Sequence, residues 1–197
     1  MKVLLVGPPG AIKRLHGRLL AQHFEIQHIV AGDLLRAEIR SGTSLGAVIR
    51  DRVERGVLVS DDLAMEALAP TVLRATRNGG YVLDGFPRTV PQARVAERIA
   101  AKTGRVADIV LGLRVPNAVL IPRLLARAQI EGRARDTLPT IKHKLQAYEQ
   151  ATRPLLEHFR QRALVVEIDA AGHPHEVARR ACSAIERLIE PRVLLEG

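Results

Sequence analysis

The feature that most constrains this chain is a glycine-containing segment, Gly7–Leu15, which follows a short apolar run near the amino terminus. The apolar run, Val3–Val6, is typical of a buried strand, and the residues after the glycines have the periodicity of a helix. A strand, a glycine loop and a helix in this order are the context of a phosphate-binding loop, whose pattern is Gly, four residues, Gly-Lys and then Ser or Thr. Gly7 opens that pattern here, and Lys13 occupies its lysine position.

Three positions of the loop depart from this pattern. Ile12 replaces the glycine before the lysine, Arg14 follows the lysine in place of Ser or Thr and adds charge and bulk at the helix start, and Leu15 cannot bond a phosphate or ligate Mg²⁺ as a hydroxyl would. Glycines let the backbone approach a phosphate closely, whereas isoleucine is β-branched and stiff. The residues of the loop alone therefore leave two interpretations open: a degenerate phosphate-binding loop, or an ordinary glycine turn that begins a helix.

Beyond the loop, apolar runs alternate with helical periodicity along the whole chain. The predicted strands are Lys2–Val6, Glu25–Val30, Gly80–Asp84, Ile109–Val115 and Val165–Asp169. The predicted helices lie near Ile12–His23, Asp33–Arg40, Leu45–Arg55, Asp61–Thr76, Val90–Ala100, Val119–Ala126, Leu138–Arg162 and Pro174–Ile189. This alternation predicts a single α/β domain over residues 1–197, with a parallel five-stranded sheet and helices on both faces. Gln129–Arg135 is expected to be an exposed loop, and the tail after Glu190 has no assignment.

The composition limits the partners of the chain. The net charge is +9, and 25 of the 30 basic residues are arginine, which fits solvated faces, an arginine-rich phosphate site or a nucleic-acid surface. Aromatic residues make up only 3% of the chain and form no base-stacking pattern, so a nucleic-acid partner is not expected. The chain has neither a signal peptide nor an apolar run of about 18 residues, so we expect a cytoplasmic protein with no membrane partner.

Smaller features have structural interpretations. The single cysteine, Cys182, excludes an internal disulfide and a four-cysteine zinc site, and we expect it to be a small packed residue. His16, His23 and His28 have no metal-ligand spacing and are expected on the surface or in satisfied polar roles. Asp61-Asp62 is expected to cap a helix.

A second motif, Asp84–Thr89, follows the third predicted strand, and Gln92 comes four residues after its arginine. Together with the loop, the sequence Asp-Gly-Phe-Pro-Arg-Thr resembles the adenylate kinase family of nucleoside monophosphate kinases. The resemblance covers roughly residues 1–190 in order and spacing and includes Gly32–Arg36, Gly42–Gly46, Gly56–Asp61, Arg123–Arg127, Gly132–Thr137 and Tyr148–Leu155.

This resemblance implies a P-loop NTPase-like fold with a small helical monophosphate-binding insert at about residues 30–60 and a short lid at about 128–137. It also implies that ATP and AMP, or other nucleotides, are the ligands, that the reaction is ATP + AMP to 2 ADP with Mg²⁺, and that the protein is a monomer. Because the loop is degenerate, we expect weak activity. The alternative is a catalytically inactive protein of this fold that binds AMP or another nucleotide in a regulatory or binding role.

The resemblance further implies roles for individual residues, and their chemistry suits phosphoryl transfer because cations neutralise the moving group. The implied catalytic residues are Lys13, Arg88, Arg127, Arg133 and Lys144. The implied ATP-binding residues are Gly7, Gly10, Ala11, Ile12, Lys13, Arg14, Leu15, Arg123, Arg127 and His173. The implied AMP-binding residues are Ala31, Arg36, Val57, Leu58, Val59, Gly85, Phe86, Arg88, Gln92, Arg133 and Lys144. Asp84 and Asp33 would hold Mg²⁺ through water.

The chain also departs from the family pattern outside the loop. Ala31 stands where the family usually has Thr, Lys144 where it has Arg, and Arg135 where it has Asp. Most departures affect the triphosphate side, while the monophosphate side is nearly intact. The sequence therefore predicts tighter binding of AMP than of ATP.

Overall fold

The computed structural model describes residues 1–54, 59–100 and 106–193, and this part of the chain contains five strands and eight helices. The strands are β1 (Lys2–Val6), β2 (Gln27–Val30), β3 (Tyr81–Asp84), β4 (Ile109–Arg114) and β5 (Leu164–Asp169). The helices are α1 (Lys13–His23), α2 (Ala31–Ser41), α3 (Ser44–Glu54), α4 (Asp61–Arg77), α5 (Val90–Ala100), α6 (Asn117–Ile130), α7 (Leu138–Arg160) and α8 (Pro174–Val193).

The strands form one parallel sheet in the order β2-β3-β1-β4-β5. Nearly every residue of β1, β3 and β4 is buried, which explains why these strands are almost uninterrupted apolar runs. The strand order reverses direction at β1, whose neighbours in the sheet are β3 and β4. The loop after β1 therefore opens into the crevice where such sheets bind ligands.

Alternate residues of the strands belong to two core layers, one on each face of the sheet. Val3 and Leu5 pack with apolar residues of α1 and α8. Leu4 and Val6 pack on the opposite face with residues of α4, α5 and α7. The prediction of a parallel five-stranded α/β fold with helices on both faces is confirmed. Cys182 lies buried in the first layer as expected, and burial raises the pKa of its thiol to about 11.

The histidine predictions are wrong for two of the three residues. His16 is only 2% exposed, and neither its Nδ1 nor the Nε2 of His28 has a hydrogen-bond partner among the described residues. The His28 ring fills the space below α1 at Gly17, where an added Cβ would overlap Nε2. Burial disfavours the charged imidazole and lowers the pKa of both residues. His23 is the exception, because it pairs at the surface with Glu186 at 2.6 Å.

Some boundaries also differ from the sequence predictions. Helix α6 continues to Ile130, so the loop predicted from Gln129 begins two residues later, and α8 extends to Val193 in the region left unassigned. The capping prediction is wrong, because Ser60 is the N-cap of α4 and Asp61-Asp62 lies in the first turn, where the helix dipole favours carboxylates. Within the described ranges, no helix combines the length and apolar character needed to cross a bilayer.

Candidate active site

The loop between β1 and α1 contains two residues with positive φ, on either side of Ala11. Gly10 has φ of 85°, and Ile12 has φ of 54° and ψ of 34°. The N–H of Ala11 donates to the Pro8 carbonyl at 3.2 Å and closes the turn. A left-handed conformation costs a non-glycine residue roughly 1–2 kcal/mol, and β-branched residues rarely adopt it. The surrounding turn therefore holds Ile12 in a strained conformation that glycine would adopt without cost.

Helix α1 begins directly after this strained residue. No side chain caps its N-terminus, and its first turn contains no acidic residue. The N–H groups of Leu15 and His16 donate to the Ile12 carbonyl at 3.0 and 3.3 Å. The positive end of the helix therefore faces the loop without a carboxylate of its own first turn to neutralise it. This arrangement suits an anion, although Leu15 offers no hydroxyl to it.

The Lys13 side chain lies over the loop. Its Nζ donates to the carbonyl oxygens of Gly7 at 2.8 Å and Pro8 at 2.9 Å. Burial lowers the pKa of Lys13 to about 8, with Asp84 opposing the shift and two neighbouring arginines adding to it. The folded protein therefore holds this ammonium at an electrostatic cost, which a phosphate group beside it would offset.

Four of the residues predicted from the sequence share one electrostatic neighbourhood. Lys13 from α1 interacts with Asp84 at the end of β3, with Arg88 in the following loop and with Arg127 near the end of α6. Burial raises the pKa of Asp84, and Lys13 is the strongest of the groups that oppose the rise. Charged groups from separate elements thus converge where β1 and β3 end.

A three-residue network links α1 to α2. Arg14 donates two hydrogen bonds to Asp33, from Nη1 to Oδ2 at 2.6 Å and from Nη2 to Oδ1 at 2.9 Å. Arg36 donates a third to Oδ1 at 2.5 Å. The bonds from Arg14 and then Arg36 lower the pKa of Asp33 to about 2. Asp33 and Arg36 lie three residues apart on α2. This helix begins two residues earlier than predicted.

This network does not fit the water-bridged metal role expected for Asp33. Both oxygens accept hydrogen bonds, and one carboxylate lies between two guanidinium groups. The local charge is positive, which repels a divalent cation and attracts an anion. Among the described residues, no group of three or more carboxylate, imidazole or thiol side chains is arranged to hold a metal ion.

The residues expected to bind AMP contact one another at the end of β3. Arg88 donates from Nε to the Gly85 carbonyl at 2.8 Å, and its backbone N–H donates to Gln92 Oε1 at 2.7 Å. Gln92 Nε2 donates to Asp61 at 3.0 Å, so both ends of the amide expected at the adenine edge have protein partners. Phe86, within the same motif, is buried in the core.

The remaining residues expected on the AMP side lie near α2 and α4. Ala31 is buried at the start of α2 and borders the space beside Gly85. Val59 packs against the core layer below α4. Val57 and Leu58 lie outside the described residues.

The cations expected in the lid form ion pairs with acidic residues of the same segment. Arg127 lies 3.5 Å from Glu131, and Arg133 is hydrogen-bonded to the same carboxylate. Lys144 pairs with Asp136, which is also 4.0 Å from Arg133. Arg133 and Lys144 are therefore bound to lid carboxylates in this conformation, while Arg127 also interacts with Lys13.

The residues expected near the ATP base lie around the loop after β5. Arg123 donates from Nη2 to the Ala171 carbonyl at 3.1 Å. His173 stacks on His175 with ring centroids 5.7 Å apart, and its carbonyl accepts the Val177 N–H at 3.0 Å. The Arg123 side chain thus links α6 to the loop between β5 and α8.

Sequence reasoning missed the pairing of Arg14 with Asp33. Both residues were singled out, one as a departure from the loop pattern and the other as a metal carboxylate. They are 19 positions apart, so no helical or strand spacing indicates the contact. Their opposite charges, shortly after β1 and β2 of the same parallel sheet, were the available signal.

The sheet order, the glycine loop after β1 and the converging cations define an α/β protein of the P-loop NTPase-like class. The adenylate kinase family profile matches residues 5–164. An adenylate kinase of Xanthomonas euvesicatoria pv. vesicatoria (strain 85-10) is 36% identical over 187 residues, covering 95% of this chain and 100% of the relative. An adenylate kinase of Thermobifida fusca (strain YX) is 37% identical over 186 residues, covering 94% and 98% respectively. The chain belongs to the adenylate kinase family.

Proposed function

We propose that the protein catalyses phosphoryl transfer from ATP to AMP to give two molecules of ADP, with Mg²⁺ entering as part of the MgATP substrate. The observation that carries this proposal is the convergence of Lys13, Arg88 and Arg127 on the loop after β1. Phosphoryl transfer needs little covalent chemistry from the protein, because it depends on positioning and on neutralising charge. The relatives named as adenylate kinases support the same reaction.

Each cation has a position suited to one part of the reaction. Lys13 and the N-terminus of α1 would bind the phosphates of ATP, and Arg88 with Arg36 would hold the AMP phosphate. Residues 30–60 would form the monophosphate-binding insert, and the lid at 128–137 would close over the transferring group. Arg133 and Lys144 would then exchange their carboxylate partners for phosphate oxygens.

We expect the reaction to be slow. Leu15 supplies no hydroxyl to a phosphate, and the exposed side chain of Ile12 occupies the loop position that glycine would leave open. Losing a single preorganised contact to a reacting group typically costs about 10²–10³ in rate. The cytoplasmic location and the monomeric state stay predictions.

The alternative is a catalytically inactive protein of this family that binds AMP or a similar nucleotide. The Asp33 network favours it, because that carboxylate is bound to two arginines rather than being available to a hydrated metal. Under this alternative the monophosphate side remains the functional part. AMP should then raise the melting temperature of the protein more than ATP does.

The test is ADP formation from ATP, AMP and Mg²⁺ by the purified protein and two variants. Arg88→Met removes a proposed phosphate ligand, and Arg94→Met removes an exposed arginine of α5 as the matched control. Turnover that Arg88→Met abolishes and Arg94→Met retains supports the kinase. Wild-type protein without turnover whose melting temperature rises with AMP supports the alternative.

A further inference from the structure

Arg14 stands where the phosphate-loop pattern has Ser or Thr, and it forms an ion pair with Asp33 through two hydrogen bonds. Its guanidinium makes two parallel hydrogen bonds to Asp33, a geometry that fixes both position and orientation. It lies one residue after Lys13 in the first turn of α1 and interacts electrostatically with Asp84 as well as Asp33. Arg14 therefore interacts with both carboxylates that the family resemblance assigns to Mg²⁺.

The charges around the loop are unbalanced. Among the described residues, five cations (Lys13, Arg14, Arg36, Arg88 and Arg127) outnumber the three carboxylates with which they interact, which are Asp33, Asp84 and Glu131. A polyphosphate chain carries several negative charges and normally needs a divalent cation to neutralise part of them. Here the excess of guanidinium groups already supplies positive charge at that place. Arginine is also always charged and offers several donors to phosphate oxygens.

Arg14 is also able to reach an anion without leaving its carboxylate partner. Its side chain is 63% exposed, so the ion pair with Asp33 borders the open crevice. A guanidinium has five N–H donors, and the pair with Asp33 uses two of them. The other donors are not used by this ion pair and can bind a phosphate oxygen.

We propose that Arg14, held by Asp33, acts as a built-in cation of the phosphate site, so that the protein binds nucleoside triphosphate with little dependence on Mg²⁺. This inference rests on the proposed function only in that the phosphate site after β1 is the nucleotide site. The inference concerns the binding of ATP, so it is tested separately from turnover.

The test measures the dissociation constant of ATP by isothermal titration calorimetry, once with excess Mg²⁺ and once with a chelator. The quantity of interest is the ratio of the metal-free to the metal-bound dissociation constant. Arg14→Gln keeps a polar side chain but removes the charge, and Arg18→Gln removes an exposed arginine one turn later on the same helix. Inorganic tripolyphosphate serves as a second probe that lacks the base and the ribose.

We expect Arg14→Gln to raise this ratio by about tenfold or more, the usual effect of losing a hydrogen-bonded charge, and Arg18→Gln to leave it unchanged. Arg14→Lys should give an intermediate ratio, because it keeps the charge and loses the planar fork. A smaller change in Arg14→Gln, an equal change in Arg18→Gln, or no measurable binding of metal-free ATP by the wild type would overturn the inference.

The role of Asp33 and the relation between binding and turnover are tested separately. Asp33→Asn removes the carboxylate that holds Arg14, so the ratio should rise for this variant as it does for Arg14→Gln. A ratio unchanged from the wild type would count against the holding role of Asp33. Metal-independent binding of ATP without ADP formation would support the role of Arg14 and reject the kinase proposal. ADP formation together with metal-dependent binding of ATP would support the kinase proposal and reject the role of Arg14.

Discussion

Replacing Lys13 with methionine measures how much the charged Lys13 ammonium over the phosphate loop changes the free energy of unfolding. Burial lowers the pKa of Lys13 from 10.5 to about 8 in the folded protein. This lowering corresponds to about 3 kcal/mol between the two protonation states. The Gly7 and Pro8 carbonyls accept hydrogen bonds from the ammonium and oppose the lowering of its pKa. The pH dependence of stability therefore reports the net balance of burial and these hydrogen bonds.

The sign follows from proton linkage. Between pH 8 and 10.5 the unfolded chain binds a proton at Lys13 that the folded protein has released, so the wild type becomes more stable as pH rises. The free energy of unfolding of the wild type should therefore rise by about 1 kcal/mol relative to Lys13→Met between about pH 7 and 9. Urea unfolding of both proteins across this range measures the difference.

Lys142→Met is the matched control, because this exposed lysine lies on α7. Its stability should stay parallel to that of the wild type over the same pH range. A Lys13→Met difference that stays flat, or that falls as pH rises, would refute the reasoning. It would mean that the loop carbonyls stabilise the ammonium by more than burial destabilises it.

Three further predictions follow from the same crevice. Asp84→Asn removes the charge that raises the pKa of Lys13, so the pKa of Lys13 should fall further by roughly one unit. NMR titration of labelled lysine measures this pKa, and no fall would contradict the assigned pairing. Ile12→Gly relieves roughly 1–2 kcal/mol of left-handed strain but adds roughly 0.5–1 kcal/mol of entropy to the unfolded chain. Its free energy of unfolding in urea should therefore be unchanged or slightly higher than that of the wild type. A loss of stability above about 1 kcal/mol would show that Ile12 is not strained. Asp33→Asn should cost about 1 kcal/mol or less at neutral pH, because the carboxylate is 43% exposed. The depressed pKa of Asp33 means that its contribution is present above pH 3.8 and lost as pH falls to about 2, so acid titration of stability should bring this variant and the wild type together.

The fold was predictable from the sequence because parallel strands buried on both faces leave a strong signal. The runs at β1 and β4 are nearly all apolar, and each is followed within a few residues by helical periodicity. Element boundaries were less accurate. Helix α2 begins at Ala31, directly after β2, although the sequence has no capping residue there.

The site was predictable only where its residues belong to contiguous motifs. The loop around Lys13 and the motif around Arg88 were found because each is short and has a fixed spacing. The Arg14–Asp33 pair and the contact of Gln92 with Asp61 were not found, because each joins residues 19 or more positions apart. Local periodicity contains no information on such pairs, which depend on how α1, α2 and α4 pack against the sheet.

The contact between His28 and Gly17 has a consequence for how this chain can change over evolutionary time. The ring of His28 occupies the volume that any side chain at position 17 would need. A substitution at Gly17 is therefore tolerable only after residue 28 has become smaller, whereas a smaller residue at 28 first leaves a void below α1. The two positions form an epistatic pair with a preferred order of substitution. Among homologues they should covary, with glycine at 17 accompanying a bulky residue at 28.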